Sequence, residues 1–86
     1  MDEPSPLKTP TIRSIIEEVA ARYRYTLAQM LGPSKCNSIA AARREAYWRC
    51  WRETGKSMVV IGRHFGDRDH TTIIKGIQKY RAEMGL

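Results

Sequence analysis

The chain has 86 residues, which allows one small domain and excludes a large catalytic fold such as a TIM barrel. Its residues are 42% hydrophobic and 28% charged, which argues against bulk disorder, and no apolar run approaches the roughly 18 residues of a membrane-spanning helix. Lysine and arginine outnumber aspartate and glutamate by 15 to 9, and the excess lies in residues 35–81, where eleven bases face four acids. This distribution favours a nucleic acid as the partner, whereas a membrane or a small-molecule substrate is not expected.

The N-terminal residues predict a tail followed by a helix. Residues 1–8 contain two prolines and no periodic apolar pattern, so we expect a flexible tail there and one domain over residues 9–86. This start also lacks the charged and apolar regions of a secretory signal, which predicts a cytoplasmic protein. Thr9-Pro10 is typical of a helix start, with a hydroxyl N-cap and a proline at the first helical position. Apolar residues then recur at helical spacing from Ile12 to Tyr23.

The middle of the chain predicts two further helices. A short one follows Thr26, which begins a capping-box pattern, and it ends at Gly32-Pro33. A long one begins at Asn37 or Ser38, either of which can be the N-cap, and runs to about Thr54. The predicted inner face of the long helix carries Ile39, Ala42, Ala46, Tyr47 and Cys50, and its outer side carries Arg43, Arg44, Arg49 and Arg52.

The last third predicts a pair of helices joined by a tight turn. Ser57 can cap a short helix, and Gly66-Asp67 is typical of a turn. Asp69 can cap a second helix that runs to about Met84. The predicted buried stripe of this helix consists of Ile73, Ile77, Tyr80 and Met84, and its opposite face carries Thr71, Lys75 and Gln78. Because no strand pattern is present, the predicted fold is all-α with about five helices.

Three patterns that would indicate catalysis or cofactor binding fail on closer inspection. Gly55-Lys56-Ser57 resembles the end of a phosphate-binding loop, but Cys50 stands where that motif needs a glycine. Cys36 lies fourteen residues before Cys50, whereas a zinc finger needs cysteines about two to four apart. A helix cap explains Asp69 at least as well as a catalytic pairing with His70 does. The sequence therefore predicts no enzyme, no cofactor and no metal site, and both cysteines are expected as free thiols.

Residues 57–80 have the pattern of a helix-turn-helix, which places the start of its second helix in the major groove of DNA. The first turn of that helix is polar and consists of Asp69, His70, Thr71 and Thr72. An aspartate can accept a hydrogen bond from cytosine, and a threonine methyl can contact the thymine methyl. Arg68, Lys75 and Lys79 flank this turn and can reach phosphates. An ordinary two-helix hairpin fits the same pattern without DNA, but the local positive charge favours DNA.

Residues 61–73 closely resemble the signature of the C-terminal DNA-binding domain of DnaA, the bacterial replication initiator; they read Ile-Gly-Arg-His-Phe-Gly-Asp-Arg-Asp-His-Thr-Thr-Ile. The resemblance extends over about residues 11–82. It implies an all-α, Trp-repressor-like domain built around a helix-turn-helix that binds short T-rich sequences, the DnaA boxes. The ATP-binding and oligomerising domains of that family have no counterpart here, so we expect an excised or free-standing DNA-binding domain.

The resemblance also implies roles for individual residues. Asp69, His70 and Thr71 would read bases in the major groove. Together with the contacts inferred from charge, the predicted contacts to the DNA backbone or minor groove are Lys35, Arg43, Arg44, Arg68, Thr72, Lys75 and Lys79. Lys35 falls in a loop where the family usually has several arginines, one of which enters the minor groove, and this chain has a single lysine there.

The sequence thus predicts sequence-specific binding to double-stranded DNA, at DnaA-box-like sites in replication initiation or its regulation. Two alternatives stay open. One is a transcriptional regulator that uses the same fold on unrelated sites, and the other is a protein-interaction module whose basic helices dock an acidic partner. Salt-dependent binding to duplex oligonucleotides separates the two DNA-binding hypotheses from the third, and competition by a DnaA box separates the first from the second.

Overall fold

The computed structural model describes residues 10–86, and this part of the chain contains five helices and no strand. The helices are α1 (Ile12–Tyr23), α2 (Leu27–Leu31), α3 (Asn37–Thr54), α4 (Met58–His64) and α5 (His70–Met84). The predicted all-α class is therefore confirmed. The predicted tail over residues 1–8 lies outside the described residues. Within residues 10–86, no helix is long and apolar enough to cross a membrane.

Two of the predicted helix starts are wrong by one or two residues. Helix α1 is capped by Thr11 rather than by Thr9, which lies outside the described residues. The Thr11 hydroxyl accepts from the Ser14 N–H at 3.0 Å, and the Ser14 hydroxyl accepts from the Thr11 N–H at 3.0 Å. These reciprocal hydrogen bonds form a capping box, which satisfies two backbone N–H groups at the start of α1. Helix α3 begins after Cys36, with no side-chain cap, instead of being capped by Asn37 or Ser38.

Helix α3 lies at the centre of the fold and shares its core with the helices before and after it. The buried apolar residues are Ile12, Ile15, Ile16, Val19, Ala20, Met30, Ile39, Ala42, Ala46, Tyr47, Cys50, Ile61, Phe65, Ile73 and Ile77. Two predicted core residues of α5 are not buried. Tyr80 is half-buried against Trp48, with ring centroids 5.3 Å apart, and Met84 is 59% exposed. The stripe fails there because Met84 occupies the last turn, beyond the part of α5 that packs on the core.

One buried acid ties α1 to α3. Glu45 is buried on α3 and accepts a hydrogen bond from the Tyr23 hydroxyl at 2.9 Å. The Arg22 guanidinium pairs with the other carboxylate oxygen. Because a buried carboxylate is costly unless it is both paired and hydrogen-bonded, these two contacts from α1 are what make Glu45 tolerable in the interior.

Candidate nucleic-acid interface

Helices α4 and α5 are joined by a turn that is closed by backbone hydrogen bonds. The Gly62 carbonyl accepts from the Phe65 N–H at 3.0 Å and from the Arg68 N–H at 2.9 Å. Gly66 and Asp67 both have positive φ, 72° and 60°, which reverses the chain direction within two residues. The predicted turn is therefore present at the predicted position, and it leads directly into α5.

The first turn of α5 presents polar side chains to solvent. Asp69 is the N-cap and accepts from the Thr71 N–H at 3.5 Å. The same carboxylate oxygen lies 3.1 Å from the His70 Nδ1, so one carboxylate both caps the helix and orients the imidazole. Both side chains are more than half exposed, and Thr71 and Thr72 are exposed as well. Four adjacent polar side chains are thus available to a partner.

The rest of α5 has one buried apolar face and one exposed basic face. Ile73 and Ile77 are buried, and Gly76 packs on the ring of Tyr47. Lys75 and Lys79 are exposed and lie one turn apart. These two ammonium groups continue the exposed surface that begins at the first turn of the helix.

A cavity of roughly 300 Å³ lies between the loop before α3, the start of α3 and the start of α5. Its lining consists of Pro33, Ser34, Lys35, Ala40, Arg43, Arg44, Tyr47, Arg68, Thr72 and Gly76. Four of these residues are basic and none is acidic. The fold therefore brings five of the predicted DNA contacts to one place, whereas Lys75 and Lys79 lie outside the cavity along α5. Its charge and size suit an anionic group such as a phosphate.

Arg44 lines this cavity with a side chain that is largely buried. Its side chain is only 19% exposed, and its terminal nitrogen is 3.5 Å from a Glu83 carboxylate oxygen. Its Nε is buried and has no hydrogen-bond partner among the described residues. Because this nitrogen is fully buried, an external acceptor can reach it only if the Arg44 side chain moves.

The prediction that Arg43 lies on the outer side of α3 is wrong. Arg43 is 6% exposed, and its guanidinium donates to backbone carbonyls instead of facing solvent. Burial, with the nearby charge of Arg68, lowers its pKa. The sequence held a signal for this position, because Arg43 lies four residues after Ile39 and four before Tyr47, within the buried stripe. Only the charge of the residue argued against burial.

Arg68 is half-buried and faces the loop before α3 as well as its own turn. It donates to the carbonyls of Leu31 at 3.4 Å, Phe65 at 2.5 Å and Gly32 at 2.6 Å. The sequence predicted a phosphate contact at this position. The structure gives the guanidinium three backbone partners, which the sequence offered no means to foresee.

The two cysteines are free, as predicted. Cys36 is exposed at the start of α3, and Cys50 is buried, which raises its pKa to about 12. Within residues 10–86, no three His, Cys, Asp or Glu side chains cluster in a way that could hold a metal ion.

Known proteins resemble this chain over most of its length. The family model described as the bacterial DnaA protein helix-turn-helix matches residues 12–79. The chain is 42% identical over 69 residues to the chromosomal replication initiator protein DnaA of Cereibacter sphaeroides, and 36% identical over 69 residues to that of Ruegeria pomeroyi. It is 33% identical over 70 residues to the DnaA protein of Thermomicrobium roseum.

These matches show that the chain belongs to the bacterial DnaA helix-turn-helix family. Each alignment covers 80% or 81% of this chain. In contrast, the chain spans about 15% of the length of the curated relatives it matches. The family assignment therefore concerns the helix-turn-helix domain.

Proposed function

We propose that this domain binds double-stranded DNA in a sequence-specific manner, with the start of α5 in the major groove. The observation that carries the proposal is the adjacency of two features: the exposed polar first turn of α5 and the basic cavity beside it. Helix-turn-helix proteins use such a turn to reach base edges, while flanking cations hold the phosphates on either side. An exposed polar turn without neighbouring cations would be much weaker support for DNA binding.

Three residues are proposed to read bases. His70 and Thr71 open α5 and are exposed, and neither belongs to the buried stripe of Ile73 and Ile77. The Asp69 carboxylate is proposed to accept from a base amino group while it keeps its capping role. Because it also lies 3.1 Å from the His70 Nδ1, it fixes the direction in which the imidazole is offered to the groove.

The proposed backbone contacts fall into two groups. Lys35, Arg44 and Thr72 line the cavity and are proposed to hold a phosphate there. Lys75 and Lys79 extend along the exposed face of α5 and are proposed to hold phosphates farther along the duplex. Arg43 is not included, because its guanidinium is buried and bonded to the backbone.

The proposed sites are DnaA-box-like sequences in replication initiation or its regulation, and the proposed place of action is the cytoplasm. The support is membership of the family and the identity of the similar proteins, which are chromosomal replication initiator proteins. Because the chain spans about 15% of those proteins, their wider activity is not proposed for it.

The test is titration of a labelled duplex, read by fluorescence anisotropy, together with selection of bound sequences from a random duplex library. If four to six phosphates are contacted, the logarithm of the binding constant is expected to fall with the logarithm of salt concentration at a slope of roughly −4 to −5. A slope near zero would overturn the proposal. Selected sequences unrelated to the DnaA box would support a transcriptional regulator instead, and absence of duplex binding at low salt would support a protein-interaction module.

A further inference from the structure

The carbonyl groups at the end of α2 are satisfied by two arginines from other elements. Helix α2 has only five residues, and Gly32 after it has an extended backbone rather than a left-handed capping conformation. The last carbonyls of a helix lack partners within the helix and carry its negative dipole end. Here guanidinium groups from α3 and from the α4–α5 turn take that role.

The two guanidiniums meet on one carbonyl oxygen. Arg43 donates to the carbonyls of Met30 at 2.7 Å, Gln29 at 2.7 Å, Gly32 at 2.6 Å and Ser34 at 2.5 Å. Arg68 donates to the carbonyls of Gly32 at 2.6 Å, Phe65 at 2.5 Å and Leu31 at 3.4 Å. The shared acceptor is the Gly32 carbonyl, which lies at the start of the loop that carries Lys35.

The end of α2, where this loop begins, packs directly against the turn between α4 and α5. A Cβ on Gly66 would lie 2.8 Å from the Leu31 carbonyl oxygen, so the turn and the end of α2 are in direct backbone contact. Arg68 bridges the same seam and immediately precedes Asp69, the cap of α5. One residue therefore connects the start of α5 with the loop of residues 32–36.

We propose that Arg68 and Arg43 are positioning residues for DNA binding. They hold the loop of residues 32–36 against the helix-turn-helix, so that Lys35 and the first turn of α5 meet the duplex as one preformed surface. The inference rests on the proposed function, and it assigns these two arginines a role through the loop rather than on the phosphates. A loop that is already ordered avoids the entropic cost of ordering on binding.

Arginine suits this role better than lysine does. A guanidinium presents several N–H groups in a fixed planar fork, whereas an ammonium is a point charge that cannot hold separate carbonyls in the same geometry. Arg43 contacts four carbonyls and Arg68 contacts three. Arg68→Lys keeps the positive charge near the cavity and loses the planar fork. A loss of affinity in this variant therefore favours a positioning role over a contact between the charge and a phosphate.

The experiment is a double-mutant cycle with Arg68→Lys and Lys35→Ala, measured as affinity for the selected duplex. Arg68 is chosen because the buried Arg43 is more costly to replace. We expect Arg68→Lys to weaken binding, and Lys35→Ala to cost less in that background than in the wild type, by at least about twofold. The matched control is a cycle of Arg68→Lys with Lys79→Ala, which lies outside the cavity and is expected to be additive.

A second readout follows the loop without DNA. A spin label on Cys36, the exposed thiol in this loop, is expected to become more mobile in Arg68→Lys than in the wild type, whereas the buried Cys50 stays unlabelled. Additive effects of positions 68 and 35, wild-type affinity in Arg68→Lys or in Lys35→Ala, or unchanged label mobility would each overturn the inference. If the wild-type chain binds no duplex, the proposed function fails; if it binds and the cycle is additive, only the positioning role fails.

Discussion

The backbone of Gly76 lies directly on the ring of Tyr47. A Cβ at residue 76 would come within 2.6 Å of the Tyr47 Cδ2 and 2.9 Å of its Cε2. The same ring also packs on Phe65, in an edge-to-face contact with ring centroids 4.6 Å apart. Helix α3 therefore fixes how closely α5 can approach, and with α5 it fixes the surface proposed to meet DNA.

Gly76→Ala is expected to destabilise the domain. The new methyl comes within 2.6 Å of a buried ring, so the ring or the helix has to move, and overpacking of this kind costs about 1–3 kcal/mol. The better helix propensity of alanine offsets roughly 1 kcal/mol of that cost. Urea denaturation measures the difference, with Gln78→Ala on the exposed face as the control, for which we expect a change within about 0.5 kcal/mol. A Gly76→Ala variant more stable than the wild type would contradict this contact.

Replacement of His70 or Thr71 by alanine is expected to lower sequence preference and leave the fold unchanged. Both residues are exposed, so we expect stability to change by less than about 0.5 kcal/mol. Each lost base contact is expected to reduce discrimination between selected and scrambled duplexes by about 1–3 kcal/mol. Non-specific affinity is expected to stay the same, because no positive charge is removed. A wild-type ratio of the two affinities in both variants would show that neither residue reads bases.

Asp69 is a less selective test of base reading than its two neighbours. Its carboxylate caps α5 through the Thr71 N–H, so Asp69→Ala is expected to cost about 1 kcal/mol of stability as well. Asp69→Asn keeps an acceptor for the cap and removes the charge next to His70. The asparagine variant is therefore the better choice when specificity is compared with that of the wild type.

Lys75→Ala and Lys79→Ala are expected to weaken binding to all duplexes about equally. Their ammonium groups lie beyond the first turn of α5, where contact with phosphates carries no sequence information. Each substitution is expected to reduce the salt slope by about 1. Arg13→Ala is the charge-matched control, since Arg13 is exposed on α1 and does not line the basic cavity. Loss of affinity for only one duplex sequence would assign the lysine a base contact.

Much of the fold could be predicted because its determinants are local. The capping box of Thr26 and Gln29 and the cap at Ser57 depend on residues within a few positions, and the structure confirms both. The predicted start of α1 is wrong although its determinant is local, because the capping box of Thr11 uses Ser14 where the usual pattern has Glu or Gln. The predicted burial of Met84 is wrong because periodicity does not tell where packing against the core ends.

The site was less predictable than the fold. Exposure of Thr71 follows from its position opposite the buried Ile73 and Ile77, whereas His70 shares their helical face and is exposed because it precedes the part of α5 that packs on the core. In contrast, the burial of Arg43 depends on carbonyls nine to fourteen residues away along the chain, and that of Arg68 partly on carbonyls 36 and 37 residues away. A basic residue in this fold can hold the backbone or face a polyanion, and composition alone does not separate the two roles.

The two thiols are expected to react with iodoacetamide at very different rates. A hydrogen bond from the Ser38 hydroxyl, together with the N–H groups of Ser38 and Ile39, lowers the pKa of the exposed Cys36. At any pH below the pKa of a free cysteine, a larger fraction of Cys36 than of a free cysteine is therefore thiolate. The alkylation rate of Cys36 is expected to reach its plateau at a lower pH than that of a free cysteine. Burial raises the pKa of Cys50 to about 12, so Cys50 is expected to stay unmodified while the domain is folded.

Mass spectrometry of the alkylated peptides over a pH series checks this expectation, and Ser38→Ala provides the matched variant. Removal of the hydroxyl, which is 3.5 Å from the Cys36 Sγ, is expected to shift the rate profile of Cys36 to higher pH and to leave Cys50 unreactive. If a bound duplex also slows alkylation of Cys36, the loop lies at the protein–DNA contact. An unshifted profile in Ser38→Ala would show that the backbone N–H groups at the start of α3 are sufficient to stabilise the thiolate.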